Sequence, residues 1–140
     1  MTFEEAVADF PMDAINTKFP NGTYSPWALV EHIRIAQWDI LDYIQNKNYQ
    51  EMQWPEDYWP DSEKKATEKD WNHTIQQFKN DQGVLAQIVE NSVIDLSAPI
   101  PHTKSATVLG EILLVTDHNA YHIGEFAIIR QVMGTWRNHS

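Results

Sequence analysis

Between Ser105 and Met133 the chain is apolar on almost every side, and this stretch constrains the fold more than any other. At about 100° per residue, Val108, Leu109, Ile112, Leu113, Leu114, Val115, Ala120, Ile123, Phe126, Ala127, Ile128 and Val132 cover most of a helix circumference. Such a helix is expected to be buried all round, by its own bundle and by a second subunit. Inside it, Glu111, His118, His122 and Glu125 fall in one stripe roughly 60° wide. Four ionisable groups in line on a buried helix are costly unless they pair or bind a metal. His118 and His122, at i and i+4, put two imidazoles on adjacent turns of one face, where both can reach one ion. Two separately hydrogen-bonded histidines are the other reading of a bare HxxxH. The Glu pair in the same stripe favours the metal.

The rest of the chain reads as helices too. Phe3 to Phe10 is helical in pattern and stops at Pro11, and residues 11–24, with Pro20, Asn21 and Gly22, read as a loop. Ser25-Pro26 opens a long helix, Ser as N-cap and Pro in the first turn, running to about Asn46. His32 lies on it, in a stripe shared with Ala36, Asp39 and Tyr43; alone it reads as a core histidine. Asp39, two turns on, is either an acceptor orienting a histidine or a solvated carboxylate. Residues 47–66 carry Pro55, Pro60, Tyr49, Trp54, Tyr58 and Trp59, and so many aromatics argue for an ordered segment pinned to the body. Thr67 and Asp70 form a variant capping box opening a third helix to about Asn91. Residues 92–104 connect it to the last helix, expected to start at Ser105 and end at Gly134. Nothing reads as a sheet.

Composition narrows the function classes. With 140 residues and a hydrophobic fraction of 42%, the chain is expected to form one domain, residues 1–140, with a genuine core. The net charge of -10 repels phosphate backbones and anionic headgroups, so neither nucleic acid nor membrane is an expected partner. There is no cysteine, which excludes disulfides, thiolate ligands and cysteine nucleophiles. The N-terminus lacks a signal pattern and no apolar run approaches a membrane span, so a cytoplasmic setting is expected. Three further histidines are weaker candidates: His73 opposite an apolar stripe, His102 about 20 Å before the pair, and His139 in the tail. The zincin pattern fails for want of a Glu after His118. The di-iron pattern fails because Asp70-x-x-His73 alone comes close to Glu-x-x-His. There is no glycine-rich phosphate loop and no serine nucleophile elbow.

Two stretches, Ser25-Pro-Trp-Ala-Leu-Val-Glu-His-Ile-Arg-Ile-Ala-Gln-Trp-Asp39 and Asp117-His-Asn-Ala-Tyr-His-Ile-Gly-Glu125, resemble the DinB-like (YfiT-like) superfamily of metal-binding four-helix bundles. The resemblance covers nearly the whole length. It implies an all-α four-helix bundle, up-down-down-up, with a long crossover between helices 2 and 3. It implies one divalent metal ion per chain, Ni²⁺ or Zn²⁺, held by His32, His118 and His122 with open positions for water. Relatives of this kind include thiol S-transferases, isomerases and hydrolases, and homodimers are common among them. The function this implies is a metal-dependent hydrolase or transferase on a small molecule, with Glu125 or Asp39, or Glu111, as proton acceptor or ligand-orienting group. The rival is a non-catalytic metal-binding or stress-response dimer, and a second rival is a plain helical dimer with satisfied histidines.

Overall fold

The computed structural model describes residues 1–137. Four helices carry them: α1 (Phe3–Val7), α2 (Pro26–Gln45), α3 (Glu68–Glu90) and α4 (Val108–Met133). Among the described residues there is no strand, and one isolated bridge joins Pro99 to Thr107. Among the described residues no helix is long and apolar enough to cross a membrane.

The helix ends follow from local chemistry. Ser25 Oγ accepts from the Ala28 amide (3.2 Å), and Pro26 begins α2, where its missing N–H costs nothing. Thr67 and Asp70 cap each other reciprocally at 2.8 and 3.2 Å, as the variant box predicts. The last helix starts later than expected. Thr107, not Ser105, is the N-cap, its hydroxyl accepting from Gly110 at 3.0 Å. Residues 99–107 are drawn into the bridge and the Ile100–Ala106 hydrogen bond instead. Gly134, at φ 66°, ends α4 in the left-handed conformation. The first helix is shorter than its pattern. It stops at Val7, and Asp9 turns the chain at φ 54° before Pro11 is reached.

Helix α2 is the central element, packing against both α3 and α4. On one side Phe3, Phe10, Trp27, Leu29, Ile33, Trp71, Phe78, Phe126 and Ile129 form an aromatic-rich core. A second cluster gathers Leu41, Ile44, Leu85, Ile100, Val108 and Val115. Removing a ring such as Phe78, fully buried, costs about 3–5 kcal/mol. Gln37 is buried on α2 between the two sets. It donates to the Phe78 carbonyl of α3 (2.8 Å) and accepts from Asn119 of α4 (3.0 Å), fixing the register of all three helices. Arg130, also buried, donates to the carbonyls of Ala6 (2.7 Å), Ala8 (2.8 Å) and Thr135 (2.8 Å), so the five-residue α1 is tied to α4.

One expectation fails within a single chain. The last helix is not buried all round: Leu109, Leu113, Leu114, Tyr121, Ile128 and Val132 are exposed along one side. The apolar excess on α4 lies on the outside of this chain.

Candidate metal centre

His32 projects from the second turn of α2, and His118 and His122 from adjacent turns of α4, so the α2–α4 contact brings all three together. One nitrogen from each ring lies within 4.8 Å of the other two. The ring centroids are 4.5 Å apart for His118–His122, 4.8 Å for His32–His122 and 5.2 Å for His32–His118. His32 is buried and the α4 pair half-buried.

Two rings are held by groups around the cluster. His32 Nδ1–H donates to the carbonyl of Tyr58 (2.8 Å). A carbonyl can only accept, so the Nε2 lone pair of His32 stays free for an ion. The same ring lies flat against Trp59, centroids 4.0 Å apart and 4° from parallel. His122 Nδ1–H donates to Glu125 Oε2 (2.8 Å), and Tyr24 hydroxyl donates to the other oxygen of Glu125. His118 Nδ1 is buried without a hydrogen-bond partner.

The electrostatics suit a cation. Burial lowers the pKa of all three imidazoles; for His122 burial, then the neighbouring His118 and His32, bring it to about 4. At neutral pH the three rings are therefore uncharged, and the His122–Glu125 contact is a hydrogen bond from a neutral ring rather than an ion pair. Burial raises the pKa of Glu125, so its carboxylate holds a proton more readily than a solvated one. Three convergent neutral imidazoles, two with their outer nitrogens committed and one with an orphaned nitrogen, could hold a metal ion.

The other acidic candidates lie outside this cluster. Asp39, buried, accepts from Tyr58 hydroxyl (2.6 Å) and Tyr49 hydroxyl (2.9 Å), and it reaches the histidines through Tyr58, whose carbonyl holds His32. Burial, then the hydrogen bond to Asp39, pushes the Tyr49 hydroxyl up to about 12 and raises Tyr58 as well. Glu111 shares a cavity of about 480 Å³ with Asp39, Tyr43 and Tyr49, and its pKa is raised by burial and then by Asp39. Of the remaining histidines, His73 is exposed, and His102 Nε2–H donates to the Tyr43 carbonyl (2.7 Å). His139 lies outside the described residues.

Tyr24, Tyr58 and Trp59 are the site residues that pattern reading does not single out. Tyr58 and Trp59 belong to the aromatic crossover, whose density of rings is the one signal that it is pinned to something. Tyr24 sits in a loop and carries no signal at all.

Comparison with curated proteins and with solved structures finds no match. The family model described as the DinB superfamily matches residues 1–126, which include all three histidines and Glu125. With the match covering most of its length, this chain belongs to the DinB superfamily.

Proposed function

We propose that this chain is a metal-dependent hydrolase or transferase acting on a small molecule, with one divalent ion held by His32, His118 and His122. The observation that carries the reading is the convergence of three neutral imidazoles within 4.8 Å. Imidazole donors suit several transition ions, and the family resemblance implies Ni²⁺ or Zn²⁺ among them. When bound, an ion on three neutral ligands supplies Lewis acidity and makes a water or thiol easier to deprotonate. Glu125 is the proton acceptor in this reading: it is half-buried beside His122, burial raises its pKa, and the Tyr24 hydroxyl fixes its second oxygen. Asp39 is a positioning residue, acting through Tyr58 on His32. The same reading carries the up-down-down-up helix order, a homodimer, a cytoplasmic setting, and no nucleic-acid or membrane partner.

Elemental analysis of protein purified without an affinity tag or chelator tests the site. One ion per chain is expected, and His118→Ala or His122→Ala should abolish it, since two ligands are too few for tight binding. Wild-type metal content in both variants would defeat the assignment. Screening the loaded form against thiols and esters then tests the chemistry.

The alternative is a non-catalytic metal-binding or stress-response dimer. The ring of Trp59 over His32 favours it, because a covered imidazole suits a structural ion. A large rise in melting temperature on metal loading, with no turnover in the screen, would support this second reading.

A further inference from the structure

A separate cavity of about 410 Å³ lies between the loop leading into α2 and the crossover. Its walls include Tyr24, Trp27 and Trp59, together with Lys18, Lys64 and Lys65. The volume lies within the usual range for small-molecule sites. Three of the chain's ten Lys and Arg residues meet here, against one lining carboxylate, Asp61, in a protein whose net charge is -10. Among the described residues Lys18 and Lys65 form no ion pair, whereas Lys64 lies 3.4 Å from Asp70 and 5.3 Å from the centre of the Trp27 ring.

The second observation is Trp27 itself. It is 4% exposed, and its indole N–H is buried with no acceptor. An indole nitrogen is a donor only, and a buried donor left unpaired is destabilising. Aromatic walls, uncommitted ammonium groups and an unused N–H are complementary to one ligand chemistry: a flat apolar body carrying an oxyanion. The rings cover the body and the lysines meet the charge.

We propose that this cavity binds a small aromatic or otherwise planar organic molecule through its carboxylate or phosphate, at a site separate from the histidine cluster. Tyr24 and Trp59 form the partition between the two: each lines the cavity, while Trp59 stacks on His32 and Tyr24 donates to Glu125. The proposal does not require that the histidines hold a metal.

The test uses the metal-free full chain, dialysed free of chelator, so that an ion cannot supply the anion contact. Phenyl phosphate, benzoate and, as the uncharged control, phenol are titrated while the Trp27 indole resonance, assigned with Trp27→Phe, is followed by ¹H–¹⁵N NMR. Phenyl phosphate or benzoate should shift that resonance saturably with a Kd of about 1 mM or tighter, and phenol should bind at least about tenfold more weakly. Whichever anion binds better tells phosphate from carboxylate. Lys18→Ala combined with Lys65→Ala, both at exposed positions, should weaken the anions about tenfold and leave phenol unchanged. The proposal is overturned if neither anion saturates by about 10 mM, if phenol binds as well as the anions, or if the double variant retains wild-type affinity. Anion binding that shifts the histidine resonances and leaves Trp27 unmoved would also overturn it.

Discussion

His32 and Trp59 lie face to face, ring centroids 4.0 Å apart and 4° from parallel, although they belong to different segments 27 positions apart. The indole covers one face of the His32 ring, while Tyr58, its neighbour in sequence, holds Nδ1. Ring plane and tautomer are thus set by two adjacent residues of the crossover. Trp59→Ala should loosen His32 and weaken metal affinity by about 10- to 100-fold, the usual effect of losing a group that orients a ligand. Trp59→Phe, which keeps a stacking face, should recover most of it. Competition against a chelator of known affinity measures both, and wild-type affinity in Trp59→Ala would show that the stack does not position the ring.

Lowered imidazole pKa values give the metal-free chain a defined pH response. His122 stays neutral in the folded state down to about pH 4, whereas in the unfolded chain it takes up a proton near 6.5. Between those values the unfolded state binds more protons, so this contribution is present above about pH 6.5 and is lost as pH falls toward 4. Burial-raised Glu125 and Glu111 act in the opposite sense, which makes the comparison with His122→Gln the informative one. Denaturant titrations at pH 7 and about 4.5 should show wild type losing about 1–3 kcal/mol more than the variant. Equal losses would mean that His122 is not held neutral. Metal affinity follows the folded-state values instead, so it should hold through most of this window and fall as pH approaches about 4, where His122 takes up a proton and can no longer ligate.

Much of this fold is legible along the chain because its signals are local. Ser25-Pro26, the Thr67–Asp70 box and Gly134 mark helix ends through contacts within a few residues, and all three stand where the pattern puts them. The start of α4 is misplaced because the competing interaction, Pro99 bridged to Thr107, spans a loop that periodicity does not describe. Of the site, His118 and His122 follow from helical spacing alone. His32 needs the α2–α4 contact, which residue patterning does not supply and family resemblance does. Tyr24, Tyr58 and Trp59 stay hidden because loop side chains reach the site by tertiary packing with no period to betray them. The apolar cover of α4 is correctly read as excessive, but an amphipathic wheel cannot say which side meets its own bundle.

That exposed side leads to a prediction on assembly. Leu113 (62% exposed), Tyr121 (70%) and Ile128 (63%) are exposed on α4. Exposed apolar residues concentrated on one helix favour an association site. The chain should therefore run as a homodimer by light scattering at micromolar concentration. Ile128→Glu should shift it to monomer while leaving metal content at one ion per chain. A wild-type monomer would defeat the proposal. With a net charge of -10, salt-sensitive retention of duplex DNA is not expected in either state.

Glu125 distinguishes chemistry from scaffolding, because it joins His122 to the hydroxyl of a loop residue, Tyr24. One carboxylate oxygen accepts from His122 Nδ1 at 2.8 Å and the other from Tyr24. Glu125→Gln keeps the shape and removes the charge. If Glu125 orients His122, the variant should retain its metal but hold it about 10- to 100-fold more weakly. If Glu125 also takes a proton during turnover, kcat should fall by about 10²–10⁴ beyond anything explained by metal loss, measured with the ion saturating. Tyr24→Phe separates the two roles. It frees one oxygen of Glu125 and leaves the His122 bond in place, so metal affinity should hold while the pH profile of turnover shifts. Metal affinity and turnover both at wild-type values in Glu125→Gln would remove this carboxylate from the mechanism and leave the three histidines as the whole of the site.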